Sequence, residues 1–384
     1  MKYPIYMDYN ATTPLDKKVL EAILPYLTEH FGNAASRSHA YGWRAAEAVD
    51  TARQQVATLL TASEKEIIFT SGATEAVNLA IKGTFEAFRH KGNHIITVKT
   101  EHKAVLDTCQ HLEKKGADIT YLDVDSEGNI SLENLEKAIR KETILISVMA
   151  ANNEIGIIYP IKEIAKIAHQ YNILFHTDAT QAVGKVPINV FKDDIDLLSF
   201  SGHKIYGPKG VGALYVRKKL NIIAQQDGGK HERGMRSGTL NVAGIVGLGA
   251  ASEICQNTMH QEAIRLSDLR NKLEQGILEN LPNTKINGSI TYRLPNTTNI
   301  SFGKIDGEQL LMNLNEIAVS NGSACNSAST EPSYVLKAMG LDDDSAYSSV
   351  RFSLGRMTEE NDIDFAISHV AKMVEKMQEI SFKI

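Results

Sequence analysis

The stretch DLLSFSGHKIYGPKGVGALYV, residues 196–216, contains the pattern that decides the fold. An apolar run, DLLSF (196–200), gives way to SGHKIYGPKG (201–210), and a second apolar run, GALYV (212–216), follows. Short continuous apolar runs bounded by Gly and Pro read as strands buried on both faces. Four similar runs lie upstream: EIIFT (66–70), HIITV (94–98), TILISVM (143–149) and ILFHTD (173–178). Helical patterns separate them, at AVNLAIKGTFEAF (76–88), AVLDTCQHLEKKG (104–116) and IKEIAKIAHQY (161–171). In the last, Ile161, Ile164, Ala165 and Ala168 fall on one face. Such alternation predicts an α/β fold, a mainly parallel sheet covered by helices.

Beyond these, the spacing predicts two helices at 240–256 and 261–280, then short strands TTNISF (297–302) and VRFS (350–353). Further helices are predicted near 307–314, 332–340 and 359–379. The change of pattern predicts two domains: a large one over 15–260, and a smaller α+β one made of 1–14 and 261–384. The 384 residues are 43% hydrophobic and 23% charged, with a net charge of −5. No basic tail or charge block suggests nucleic acid. No apolar run reaches the ~18 residues of a membrane span. The start, MKYPIYMDYN, lacks the apolar core of a secretory leader. Three dispersed cysteines predict a thiol-reducing, cytoplasmic setting rather than a disulfide framework.

In open α/β sheets ligands bind beyond the carboxyl ends of the strands. Five successive strand ends here carry polar or ionisable residues: SGATEA (71–76), KTEHKA (99–104), AANNEIG (150–156), DATQAVG (178–184) and SGHKIYGPKG. Ser71, Gly72 and Thr74 open a helix, where free N–H groups suit a phosphate; the same residues also suit a plain N-cap. Asp178 directly follows a buried strand, where it needs a cation or several hydrogen bonds, or serves as a helix cap. Lys204 sits between Gly202 and Gly207, flanked by Ser201 and His203. A partly desolvated lysine forms Schiff bases readily, whereas a turn lysine is usually solvated. Lysine, aspartate and phosphate donors at neighbouring strand ends match the needs of pyridoxal phosphate. His102, in TEHKAV, could stack on such a ring and move protons, or stand at a helix N-terminus without a role.

Two motifs lead elsewhere. DVDSEGNISLEN (123–134) imitates a calcium loop, but its twelfth residue is Asn134 rather than the bidentate Glu. GPKGVG (207–212) lacks dinucleotide spacing and precedes a strand. The twelve histidines show no zinc spacing.

In chain order, YNATTP (9–14), FGNAASRSH (31–39), SGATEA, TEHKAVLDTC (100–109), NNEIG (152–156), DATQ (178–181), SGHKIYGPKG, HERGMRSGT (231–239), NGSAC (321–325), EPSYVL (331–336) and RFSLGR (351–356) cover nearly the whole chain. The combination is highly specific. It resembles the pyridoxal-phosphate-dependent cysteine desulfurases of the NifS/IscS type, in the class V aminotransferase family. The resemblance implies a fold-type I transferase, with the first strand returning to join the C-terminal segment in the small domain. It implies Lys204 as the Schiff-base lysine, Asp178 on the pyridinium nitrogen, and Gln181 and Asn153 on the phenolic oxygen side. It implies His102 on the ring, and Ala73, Thr74, Ser201 and His203 on the phosphate. Thr239 would reach the phosphate of the partner subunit in a homodimer. Arg351 would hold the substrate carboxylate, helped by Asn33 and by Asn153.

Cys325 stands in SNGSACNSAS (320–329), a run of small polar residues unsuited to burying a thiol. The resemblance implies that it is the nucleophile that collects sulfur from L-cysteine as a persulfide, leaving L-alanine. No resident metal is implied, only a transient contact of Cys325 with an iron–sulfur cluster on a scaffold partner. Iron–sulfur assembly and other transfers, such as tRNA thiolation, would consume the sulfur through acceptor proteins. The alternatives with the same cofactor are selenocysteine lysis, another lyase reaction or transamination; the last needs no nucleophilic cysteine. A catalytically silent scaffold is a third class, opposed by the presence of both Lys204 and Cys325.

Asn321 and Asn326 replace the serine and threonine of the usual SSGSACTSAS, and AANNEIG has Ala where relatives carry His and Val. The sequence ends at ISFKI (380–384) where relatives continue with a scaffold-docking tail. That departure leaves scaffold docking open, with relay to other acceptors or a trimmed sequence as the alternatives.

Overall fold

A computed structural model describes residues 3–303, 305–321 and 332–381. In chain order the large sheet takes β2 (Ile67–Thr70), β3 (His94–Val98), β4 (Asp118–Leu122), β5 (Thr143–Ser147), β6 (Leu174–Asp178), β7 (Leu197–Ser201) and β8 (Gly212–Val216); β1 (Ile5–Tyr6) belongs elsewhere. The order across the sheet is β2-β8-β7-β6-β5-β3-β4. All neighbours from β7 to β4 are parallel, while β8 runs antiparallel to both β7 and β2. The six predicted strands of this sheet are present within a residue or two of their expected limits. Their side chains are buried almost throughout. A fully buried Ile or Leu stabilises the fold by about 1.5–3 kcal/mol over an exposed one. β4 was not foreseen. It is an edge strand with only Leu122 buried, so DITYL shows no apolar run.

The covering helices are α1 (Lys17–Thr28), α2 (Ala40–Leu60), α3 (Ala73–Phe88), α4 (Lys103–Glu113), α5 (Leu132–Ala138) and α6 (Ile161–Gln170). In α6 the buried residues are Ile164, Ala165 and Ala168, three of the four on the expected face. The calcium-like segment is a turn between β4 and α5, with Asp125 Oδ1 accepting from the amides of Glu127 and Asn129.

One expectation is corrected. The two helices predicted at 240–256 and 261–280 are a single helix, α7 (Val242–Asn280). No Gly or Pro lies between 256 and 261 to break it. The apolar pattern changes phase there because the helix changes partner. Ile245, Leu248, Ala251 and Cys255 pack in the core of the large sheet. Leu266, Leu273 and Ile277 pack in a second core. That second core is built on β9 (Lys285–Ile286), β10 (Thr297–Ser301), α8 (Gly307–Asn313), β11 (Ile317–Ala318), β12 (Ser349–Ser353) and α11 (Glu360–Ser381), whereas α9 (Tyr334–Ala338) and α10 (Asp343–Tyr347) pack Val335, Leu336 and Ala346 into the core of the large sheet. Strands β12, β10 and β9 form an antiparallel sheet. The N-terminal β1 pairs in parallel with β11, as the resemblance implied. Asp8 then bridges to Ser353 and Ser320 to Arg351, which brings the start of the chain to the mouth of the large sheet. No described helix is long and apolar enough to cross a membrane.

Candidate active site

A cavity of about 640 Å³ opens at the carboxyl ends of the parallel strands. Its walls carry ten of the residues singled out from sequence: Ala73, Thr74, His102, Asn153, Asp178, Gln181, Ser201, His203, Lys204 and Arg351. Each is placed by its element. Gly72, at φ 156°, turns the chain from β2 into α3 in a conformation that favours glycine. No described side chain caps α3, so its first-turn N–H groups meet the cavity with the positive end of a sixteen-residue helix. Glu75 closes back on the Ser71 amide at 2.8 Å and pairs with Arg236 at 2.8 Å. Desolvation acts against its charge, but Arg236 and Ser71 hold its carboxyl below the ordinary value.

His102 is the N-cap of α4, its Nδ1 accepting from the Ala104 amide at 3.1 Å. In the neutral ring the proton then sits on Nε2. Beside it Glu101 is wholly buried. Its Oε1 accepts from the Met149 amide, and Oε2 has no partner among the described residues. Burial, the main cause, and the Asp178 charge push Glu101 well above the usual carboxylate range.

Asp178 ends β6 and is buried, with Oδ1 accepting from the Thr180 amide. Among the described residues it forms no ion pair. Lys204 lies on the short turn after β7, and its Nζ donates to the carbonyl oxygens of Asn10 (2.5 Å) and Ala11 (2.7 Å). His203 contacts Thr12 at 3.1 Å. Burial, helped by the charges of Lys204, Lys209 and Lys185, pushes His203 down to about 4, so it is neutral near pH 7.

Arg351 on β12 is buried. It donates to Asp8 (2.6 Å) and to the Asn153 carbonyl (3.0 Å), while its Nε has no partner among the described residues. Asn153 Oδ1 and Thr180 Oγ1 are also buried without partners among the described residues. Buried polar atoms are normally paired, so three orphaned atoms around one cavity mark a place for a ligand.

Two candidates lie outside the cavity walls. Thr239 is exposed beyond Arg236, and Asn33 is exposed with its Oδ1 on the Ala35 amide. Cys325 lies outside the described residues, as does the whole span 322–331. The flanks of that span both reach the site: Ser320 pairs with Arg351, and Pro332 and Tyr334 line the cavity.

Sequence reasoning missed Asn10. It accepts from Lys204 and Gln181 through its carbonyl and donates through Nδ2 to Asn153 O and Thr297 Oγ1. Its motif, YNATTP, was visible, but its partners lie 143 to 287 residues away along the chain. Glu154 was also missed. It lines the cavity and accepts from Ser333, and burial raises its carboxyl above the ordinary value.

Comparison with known proteins places this arrangement. Residues 5–365 match the family model described as aminotransferase class-V. The chain is 54% identical over 383 residues to a cysteine desulfurase IscS of Anaeromyxobacter sp. (strain Fw109-5), covering 99% of this chain and 95% of that one. It is 55% identical over 385 residues to cysteine desulfurase IscS of Edwardsiella ictaluri (strain 93-146), with the same coverage. Among solved structures, a NifS-like protein superposes with a TM-score of 0.91 at 39% identity, over 97% of this chain and 99% of that one. A structure of SspA in complex with cysteine gives 0.82 at 38%, over 91% and 98%. With a fold of type I and a cavity at the carboxyl ends of its parallel strands, the chain belongs to the class V aminotransferase family, among the cysteine desulfurases of the IscS type.

Proposed function

We propose that the chain uses pyridoxal 5'-phosphate to take sulfur from L-cysteine, giving L-alanine and a persulfide on Cys325. The carrying observation is that Lys204 and Asp178, a buried carboxylate without an ion pair among the described residues, stand in the walls of one cavity. The residues fit that cofactor. Asp178 suits a protonated ring nitrogen, and Lys204 suits the covalent attachment. The uncapped start of α3, with Ala73, Thr74, Ser201 and His203, suits a phosphate. Gln181 and Asn153 suit the phenolic oxygen side. When bound, pyridoxal phosphate supplies an electron-poor ring that stabilises the charge left when the substrate loses its Cα proton.

The chain's own residues do the rest. Arg351 holds the substrate carboxylate with its guanidinium, Asn153 and Asn33 assisting. Lys204 Nζ takes the Cα proton, and His102, with its proton on Nε2, moves protons at the ring face. The Cys325 thiolate attacks the substrate sulfur. An S–S bond forms, the C–S bond breaks with its electron pair left on carbon, and protonation gives L-alanine. The balance is L-cysteine and a thiol in, L-alanine and a persulfide out.

A homodimer, with Thr239 of the partner subunit completing each phosphate site, is part of the proposal. Its support is the exposure of Thr239 and of an apolar face with Leu20, Leu24, Leu27, Phe31, Tyr41 and Trp43. The division into 15–260 and 1–14 with 261–384 is also part of the proposal; the second core, drawn from Met7 and from residues 266–377, supports it, while Leu294, Val335, Leu336 and Ala346 pack across it into the first. A cytoplasmic setting fits the buried free thiols of Cys109 and Cys255, which burial pushes up to about 12. The acceptors are an iron–sulfur scaffold and other sulfur carriers. The test is alanine and persulfide formation from L-cysteine by wild type, Lys204→Ala and Cys325→Ser. Turnover by Lys204→Ala would sink the proposal.

A further inference from the structure

Lys185 takes no part in the steps above, yet it stands directly behind them. It lies four residues past Gln181 in DATQAVGK (178–185). Its Nζ donates to Gln181 Oε1 at 2.7 Å and to Asn10 Oδ1 at 3.4 Å. Gln181 Nε2 donates to Asn10 O at 3.0 Å, the carbonyl that also accepts from Lys204. The residue as a whole is partly buried; its ammonium end is the enclosed part. Lys204 and His203 from the turn after β7, Arg351 from β12, Asp178 from the end of β6, and Cys255 and Glu262 from α7 surround the region.

A lysine nitrogen meets an amide as a donor, so Lys185 selects the oxygen end of Gln181. The NH2 end must point away from it. That group carries two hydrogens, and Asn10 O takes one. The other is left for whatever occupies the cavity that Gln181 lines. Burial, chiefly, with the Lys204 and Arg351 charges, pushes Lys185 down to about 7. A neutral amine still donates but can also accept; in that form the Asn10 carbonyl, which accepts from Gln181 Nε2, keeps the amide in the same orientation.

We propose that Lys185 is a positioning residue that locks the Gln181 amide with its NH2 toward the cavity, so that the site offers a donor to the phenolic oxygen of the bound cofactor. The inference rests on the pyridoxal phosphate reading of the cavity. A donor at that oxygen stabilises its negative charge and weakens its pull on a proton at the Lys204 nitrogen. The lock therefore lowers the pH at which the lysine-linked cofactor changes colour. A cation acting on Lys204 directly would push the same way, so the experiment must separate the two routes.

The experiment is a pH titration of the visible absorbance of cofactor-loaded wild type, Gln181→Ala, Lys185→Met, Lys185→Gln and the Gln181→Ala/Lys185→Met double variant. Pyridoxal phosphate affinity of each apo-protein is measured beside it. Gln181→Ala and Lys185→Met should both move the colour change to higher pH and weaken cofactor binding about fivefold. The double variant should move no further than Gln181→Ala. Lys185→Gln keeps a donor without the charge and should titrate near wild type. A Lys185→Met shift that persists in the Gln181→Ala background, or a Lys185→Gln that behaves like Lys185→Met, overturns the lock in favour of a charge effect. Where the methionine variant does not fold, Lys185→Ala replaces it, with the same outcomes. A wild type that shows no saturable pyridoxal phosphate binding defeats the cavity reading instead, whatever Lys185 does.

Discussion

The two ends of the large sheet use similar residues to opposite effect. At the amino ends of β6 and β7, His169 bonds Asp194 through Nδ1 (2.7 Å) and Asp196 through Nε2 (2.8 Å). Arg217 joins both carboxylates at 2.6 and 3.0 Å, and Asp196 also accepts from the Phe175 amide. Each charge has a partner, and the network ties three chain segments together. At the carboxyl ends Asp178 has no ion pair among the described residues, and Asn153, Thr180 and Arg351 each keep an orphaned atom around a cavity. A closed network stabilises the native state by itself. An open one is a site whose stabilisation waits for a ligand.

The difference can be broken or sharpened by substitution. The largest effect belongs to Lys204→Ala, which should remove visible cofactor absorbance and all turnover; an absorbance spectrum and an alanine assay check both. Next, Asp178→Asn should cut turnover by about a hundredfold or more. The apo-protein should unfold in urea no earlier than wild type, because the amide keeps the oxygen that accepts from Thr180 and removes a buried charge. At the opposite end Asp196→Asn should reverse this pattern. It should cost about 2 kcal/mol of stability, allowing for the partial exposure of His169 and Arg217, and leave kcat within about twofold. If Asp196→Asn cost activity and Asp178→Asn cost stability, the division between the two ends would collapse.

The smallest effects are in pH dependence, and the two ends have opposite signs. The hydrogen bond to Asp196, acting against a desolvation penalty, is the main cause that raises His169. The folded state thus holds its proton more tightly. That stability is fully present below the ordinary histidine value near 6.5 and is lost as pH rises through the raised value. His203 is pushed down to about 4 by burial. The unfolded chain then binds the extra proton between about 6.5 and 4, and stability falls as pH is lowered through that window. Urea midpoints of the apo-protein across pH should show His169→Gln flattening the alkaline limb and His203→Gln flattening the acid limb. Unchanged slopes would contradict the assignment of either charge.

Most of this was legible before any coordinates, for a physical reason. Strands buried on both faces must be continuously apolar, so their ends stand out, and the polar residues that follow them converge on the site. β4 was not legible because an edge strand needs no apolar run. The unity of α7 was hidden because its apolar face turns from one core to the other. Asn10 was invisible as a hub because a turn asparagine has no local signature, and its partners come from β10, from the Gln181 turn and from the Lys204 turn. The network of His169, Asp194, Asp196 and Arg217 was unread for the same reason. No spacing in the sequence shows that three separate segments meet at the amino ends of two strands. Thr239 and Asn33 came from motif resemblance alone, and in a single chain they stand apart from the cavity they were assigned to.

The most direct test is alanine and sulfide release from L-cysteine, with a reductant, by wild type and Cys325→Ser side by side. The account predicts that wild type releases both, and that Cys325→Ser keeps the cofactor colour and releases neither. Release of alanine and sulfide by Cys325→Ser at the wild-type rate would contradict it, because the sulfur would then leave the cavity by a route that does not pass through that thiol.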